Sequence, residues 1–257
     1  MPNAITIKNV EFRWSAKHPN AVAIEQLNAE AGERLFVAGP SGSGKSTLLS
    51  LLAGVVTPQQ GSVTMLGRPI SQMTPAQRDH FRADHIGYIF QMFNLVSYLT
   101  VVENVTLPLR FSKKRWKMAG GHSAASEAIR LLEHLGMGDP ELLHHPVTEL
   151  SVGQQQRVAA ARALIGQPEI LIADEPTSSL DADNRESFIN LLFQECAGQK
   201  TTLVFVSHDV ALAEMFDRTV ELPSAAMRDV GCEMRDGLGH PETRIPIPVS
   251  AQKEVTK

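Results

Sequence analysis

Hydrophobic and polar positions change period several times along the chain. Ile5 to Trp14 alternate loosely and Arg34 to Ala38 form a short apolar run, so both read as strands. A glycine-rich turn follows, then an apolar helical stretch from Lys45 to Ala53, with Gly54 placed to end it. Short strand-like runs recur at Ser62–Leu66 and Ile86–Phe90. From about Val101 to Ile165 the pattern turns helical. Ser123 is placed to cap a helix whose apolar positions Ala125, Ala128, Leu132 and Leu135 fall near one face, and Gly136 closes it. Beyond Gln167 the strand–helix alternation returns. Ile170–Ala173 is continuously apolar, Phe188, Leu191 and Leu192 mark a helix ending before Gly198, and Thr201–Val206 is β-branched and apolar.

Alternating strands and helices predict an α/β fold with a mostly parallel sheet, and the helical middle predicts an inserted subdomain. After Leu222 the periodicity fades and Pro223, Pro241, Pro246 and Pro248 interrupt the chain. That tail, 223–257, is expected to be poorly ordered or loosely docked. The 257 residues suffice for a substantial core, and 43% hydrophobic with 20% charged residues is ordinary for a globular protein. A net charge of −4 gives no reason to expect a nucleic-acid partner. Cys196 and Cys232 form no CxxC pair, and they read as reduced thiols. Two long stretches lack charged residues, Ser46–Gly67 and His85–Val102. Both contain polar residues that argue against a membrane span.

Gly39-Pro40-Ser41-Gly42-Ser43-Gly44-Lys45-Ser46 fits GxxxxGK[ST] between a strand and a helix. Glycines let backbone N–H groups turn toward a polyphosphate, and the helix N-terminus adds partial positive charge. Lys45 can reach the β- and γ-phosphates, the Ser46 hydroxyl can ligate Mg²⁺, and Thr47 is placed to touch the α-phosphate. This motif implies nucleotide binding without choosing among kinase, GTPase or motor.

Ile170–Glu175 reads as a buried strand delivering two carboxylates at its end. Asp174 can hold Mg²⁺, while Glu175 faces a water attacking the γ-phosphate. Such a run is common alone and gains weight from its pairing with the glycine loop. His208 follows the strand Thr201–Val206, where it can bond a γ-phosphate or polarise the water, although in isolation it reads as a structural histidine. Gln91, at the end of Ile86–Phe90, is a candidate metal or water ligand.

One further segment, Leu150-Ser151-Val152-Gly153-Gln154, resembles the LSGGQ signature of ATP-binding-cassette (ABC) ATPases. The family's motif series is matched in order. Gly39–Ser46 resembles Walker A, Gln91 the Q-loop, Ile170–Glu175 Walker B with its catalytic glutamate, Ser179–Asp181 the D-loop and His208 the switch histidine. The segments Arg82–Leu95 and Leu99–Val105 are similar to the ATPases of lipoprotein-releasing and macrolide-export systems. The resemblance implies a P-loop NTPase cassette over residues 1–222, with an N-terminal antiparallel β region and a helical subdomain at about 92–160. It implies ATP and Mg²⁺ as ligands, with Ser46, Gln91 and Asp174 on the metal and Trp14 stacking on adenine where the family usually has Tyr. The competing role for Trp14 is core packing.

The resemblance also implies a head-to-tail homodimer. Ser151, Gly153 and Gln154 of one copy would meet ATP held by the other, and Asp181 would couple the two sites. The implied partner is a separately encoded membrane permease, which would hold the chain at the cytoplasmic face of the inner membrane. An importer ATPase and a soluble non-transport ABC protein are the alternatives, the latter lacking its usual second cassette or insertions here. Two departures stand out: Val152 replaces a glycine and is tolerable only at negative φ, and the family's closing Asp-Gly turn and strand are not evident after Glu221-Leu222-Pro223. Lys113–Lys117 is a basic cluster read as a solvated face, with anionic lipid headgroups or a permease loop as alternative contacts.

Overall fold

Strands that are apolar at every position must be covered on both faces, and the central sheet of this computed structural model shows how. The structure describes residues 2–17, 19–223 and 236–237. Its central strands are β3 (Arg34–Ala38), β6 (Ile86–Ile89), β7 (Ile170–Asp174), β8 (Thr202–Val206) and β9 (Arg218–Glu221). Leu35, Val37, Ile170, Ile172, Val204 and Val206 point into one core; Phe36, Leu171, Ala173, Leu203 and Phe205 point into the other. Each uninterrupted apolar run is thus an alternation between two cores.

The first core lies against a second, antiparallel sheet. Its strands are β1 (Asn3–Phe12), β2 (Val22–Glu30), β4 (Gln60–Met65) and the short β5 (Arg68–Pro69), in the order β2-β1-β4-β5. Helix α1 (Lys45–Leu52) supplies Leu48, Leu49, Leu51 and Leu52 to that core, and Phe81 of α2 (Pro75–His85) adds to it. The second core takes α3 (Val101–Thr106), α5 (Ala124–His134), α6 (Val152–Leu164) and α7 (Ala182–Gln199). Helices α3, α4 (Lys113–Met118), α5 and α6 all lie between β6 and β7 in sequence, where the helical insertion was expected.

The order in the central sheet is β10-β9-β3-β8-β7-β6, with β3, β6, β7, β8 and β9 parallel. The edge strand β10 (Asp236–Gly237) runs antiparallel to β9, Asp236 opposite Val220. An Asp-Gly pair therefore returns to the sheet after all, beyond residue 222 where the cassette was expected to stop. The remainder of the expected tail, with Cys232, lies outside the described residues. Cys196 is a free, buried thiol whose burial pushes its pKa up to about 12, so it is unreactive at neutral pH.

Local expectations differ from the structure in three places. Ser123 ends a 3₁₀ turn with φ −92° and ψ 13°, and its side chain makes no capping bond to α5. Helix α7 continues through Gly198 to Gln199, and Lys200 takes the left-handed position, φ 56°, with its N–H bonded to Ala197 and Cys196 carbonyls. The basic cluster at 113–117 is not wholly solvated. Arg115 is 3% exposed and donates from Nε to Ile165 O at 2.9 Å, from Nη2 to Ala163 O at 2.8 Å and from Nη1 to Ile86 O at 3.3 Å. Burial pulls its pKa down to about 10, which still leaves it charged.

Arg115 therefore clamps α4 onto the end of α6 and the start of β6. Arg115→Met keeps most of the stem but strands these carbonyls. It is expected to lower unfolding stability by about 3 kcal/mol. The check is a urea melt: a lower midpoint at unchanged slope, against a change under about 0.5 kcal/mol for the exposed Lys117→Met.

Candidate functional site

A cleft of about 780 Å³ opens at the carboxyl ends of the parallel strands. Its wall includes Ser41, Gly42, Gly44, Lys45, Ser46 and Thr47 from the loop after β3, and Gln91 from beyond β6. Asp174 and Glu175 at the end of β7, His208 beyond β8, and Trp14 complete the expected residues found there. Pro19, Asn20 and Ala21 also line it. They join β1 to β2, and nothing in their own pattern marked them.

The glycine loop is held open by backbone conformations that other residues rarely adopt. Gly42 and Gly44 have φ of 77° and 85°, and Gly44 is the residue from which α1 starts. At Gly39 the constraint is space: an added Cβ would lie 2.5 Å from Ser43 Oγ and 2.9 Å from Leu222 O. Lys45 curls back and donates from Nζ to Gly39 O at 2.6 Å and Pro40 O at 3.0 Å. The loop thus encircles its own ammonium, with the N-terminus of α1 beneath it.

Two carboxylates meet this positive region. Burial is the main cause raising the Asp174 pKa, Glu175 adds to it, and Lys45 opposes it. Glu175 sits at φ 47°, a strained position for a residue with a side chain. Its N–H donates to Val206 O at 2.9 Å, tying it across the end of β8. His208 Nδ1 lies 2.8 Å from Glu175 Oε2, and Ser207 Oγ donates to the same oxygen at 3.4 Å. Sequence reasoning missed Ser207; its place directly before His208 was the available signal.

The Ser46 hydroxyl, the Asp174 carboxylate and the Gln91 amide are all oxygen donors, the kind Mg²⁺ takes together with phosphate oxygens and waters. Among the described residues no group of three His, Cys, Asp or Glu side chains forms a metal cage. A divalent ion here fits a site shared between protein and nucleotide.

Trp14 is 62% exposed, which removes core packing as its role. Its ring stands edge-on to Phe12 with centroids 5.0 Å apart, and Nε1 donates to Thr47 Oγ1 at 3.3 Å. A free aromatic face is therefore tethered beside the loop.

The signature residues do not share this cleft. Ser151 is the N-cap of α6: its Oγ accepts from Gln154 N at 3.3 Å, and Gln154 Oε1 accepts from Ser151 N at 2.8 Å. Val152 lies in the first turn, outside the positive-φ residues and 51% exposed, so the side chain is accommodated without strain. Asp181 caps α7 by accepting from Asn184 N at 2.9 Å; that bond and the Asn184 amide hold its pKa below the usual range. Arg185 bonds Leu180 O and pairs with Asp209, linking the loop after β7 to the loop after β8. Gly39, Pro40 and Ser43 belong to the glycine loop but are not among the residues that line the cleft.

A family model described as "ABC transporter" matches residues 24–178, more than half of the chain. The chain belongs to the ABC transporter family. It is an ATP-binding cassette of that family's ATPases, with the fold expected of one. It is 41% identical over 206 residues to the uncharacterised ABC transporter ATP-binding protein YbbA of Escherichia coli strain K12, covering 79% of this chain and 86% of YbbA. It is 41% identical over 196 residues to the lipoprotein-releasing system ATP-binding protein LolD of Psychrobacter arcticus, covering 76% of this chain and 84% of LolD. A solved dimeric structure of the bacterial cassette MJ0796 superposes with a TM-score of 0.75 at 36% identity, covering 85% of this chain and 94% of that one. A second MJ0796 structure, a dimeric post-hydrolysis state bound to ADP and Pi, gives 0.74 at 31% identity, covering 92% of this chain and all of that one.

The Gly39 contacts generate a direct test of the cassette's loop. Gly39→Ala is expected to weaken ATP binding by roughly tenfold or more, since its Cβ would force the loop from Ser43 and Leu222. Titration with a fluorescent ATP analogue measures this, and unchanged affinity would contradict the assigned loop geometry.

Proposed function

We propose that the chain is the ATP-hydrolysing subunit of an ABC transporter, working as a head-to-tail dimer and driving a separate membrane permease of the exporter or force-transmitting kind. The observation that carries this reading is the pairing of Glu175 with His208 at 2.8 Å, opposite Lys45 and the glycine loop in one cleft. Similarity to LolD and YbbA supports the transporter type, and the dimeric MJ0796 cassettes support the assembly. Attachment to the cytoplasmic face of the membrane would come through the permease. No described helix is long and apolar enough to cross a membrane.

In this mechanism the loop amides and Lys45 neutralise phosphate charge, and Trp14 offers its face to adenine. Ser46, Asp174 and Gln91 would hold Mg²⁺, which when bound spreads the charge developing on the transferred phosphate. Glu175 takes a proton from the attacking water or aligns it, held in place by His208 and Ser207. Because Ser151, Gly153 and Gln154 lie outside the cleft, their α6 N-terminus is available to a γ-phosphate held by a second copy. Asp181, whose side chain caps the start of α7, would couple the two sites.

Glu175→Gln keeps size and polarity while removing the base. It is expected to lower steady-state phosphate release by at least ~100-fold with ATP affinity within about threefold of wild type. Phosphate-release kinetics beside an ATP-binding titration measure both; near-normal turnover would refute the assigned role.

A further inference from the structure

Between Glu103 and Glu127 the chain carries no acidic residue and five basic ones, Arg110, Lys113, Lys114, Arg115 and Lys117, in a protein whose net charge is −4. The fold divides them. Arg115 is buried in its carbonyl clamp and Lys114 pairs with Glu169. Arg110, Lys113 and Lys117 are exposed and form no salt bridge among the described residues, although Arg110 lies near enough to Glu103 to help hold its carboxyl pKa down. Phe111, Trp116 and Met118 stand among them, 70%, 37% and 50% exposed.

This face is held rigidly. Ser112 Oγ accepts from Arg115 N at 3.0 Å and donates to Asp84 Oδ1 at 2.5 Å, while the Arg115 guanidinium fixes α4 to the end of α6 and the start of β6. The buried side of α4 is thereby locked inward and the cationic, aromatic side outward. Its anchors lie at the amino ends of β6 and β7, whereas the nucleotide cleft lies at the carboxyl ends.

We infer that the Arg110–Met118 segment is a lipid-facing surface that binds anionic phospholipid headgroups directly, without a permease. Unpaired cations supply the attraction, and the interleaved apolar side chains fit the boundary between headgroups and acyl chains. The rest of the chain, being net acidic, is repelled by the same surface, so binding would orient the protein through this segment. This goes beyond attachment through a transporter partner and does not depend on it.

The test is co-sedimentation of the full chain with vesicles of phosphatidylcholine containing a quarter phosphatidylglycerol, against pure phosphatidylcholine. Binding is expected only to the anionic vesicles and should decline with salt. In the triple variant Arg110→Gln/Lys113→Gln/Lys117→Gln it should fall by roughly 100-fold. Neutralising three exposed cations elsewhere, Lys8→Gln/Lys17→Gln/Arg68→Gln, should leave it within about threefold. Phe111→Ser/Met118→Ser should weaken binding while preserving its salt dependence. Equal binding to both vesicle types, or equal loss in both triple variants, overturns the inference. So does binding seen only with native membranes and abolished by protease, which would mark a protein partner. ATP hydrolysis, followed without vesicles, should be unchanged in all three variants; an inactive wild type would sink the ATPase mechanism and leave the lipid result standing.

Discussion

The register of the parallel strands is the constraint on which the site depends. Asp174 lies opposite Val206, and Val206 opposite Val37, so the ends of β7, β8 and β3 form one row. The glycine loop, Glu175 and His208 each begin within two residues of that row. A one-residue slip of β7 would exchange its two buried faces and carry Asp174 and Glu175 out of line with Lys45. The register is in turn enforced by burial, since Leu171 and Ala173 must meet one core while Ile170 and Ile172 meet the other. Packing of apolar residues remote from the cleft therefore aligns the charges proposed to perform its chemistry.

Electrostatics then does what the backbone geometry allows. Burial first, and repulsion from the adjacent Glu175 carboxylate second, raise the Asp174 pKa. Lys45 offsets part of that repulsion, and a divalent cation would offset more. The strained backbone of Glu175 is retained because its N–H is bonded to Val206 and its carboxylate to His208, so the surrounding structure holds what the dihedral alone disfavours.

Much of this was legible in the sequence because the parts follow local rules. GxxxxGK[ST] needs its glycines for loop conformation, and the strand–carboxylate run Ile170–Glu175 announces its end by composition alone. What escaped has a physical reason in each case. Strand β2 mixes Glu25, Gln26 and Asn28 among its apolar residues because one face of the antiparallel sheet is solvated, which blurs its pattern. Arg115 is charged and flanked by lysines, so nothing local distinguishes it from a surface residue; only the three carbonyls that converge on it in the fold explain its burial. Glycine is the usual residue in the left-handed position that ends a helix, yet α7 passes Gly198 and ends at Gln199, with Lys200 in that position and Thr201 bonding back to Cys196 and Pro168. The capping boxes of α2, α3 and α6, which pair Thr74, Thr100 and Ser151 with a Gln or Glu three residues later, fix where those helices start, whereas sequence reasoning had named only Ser123, which makes no capping bond.

A cleft with a phosphate loop and the proposed base and metal-binding carboxylate, but with its signature helix elsewhere, is half of the proposed site. The second half would be the Ser151 end of α6 in another copy. The most direct measurement is the molar mass of Glu175→Gln protein by light scattering in Mg-ATP and in Mg-ADP, beside the double variant Glu175→Gln/Ser151→Arg. The single variant is expected to be a dimer in ATP and a monomer in ADP. The double variant is expected to be a monomer in both, with unchanged ATP affinity per chain. A single variant that stays monomeric in saturating ATP, or a double variant that dimerises equally well, would contradict the proposed shared site.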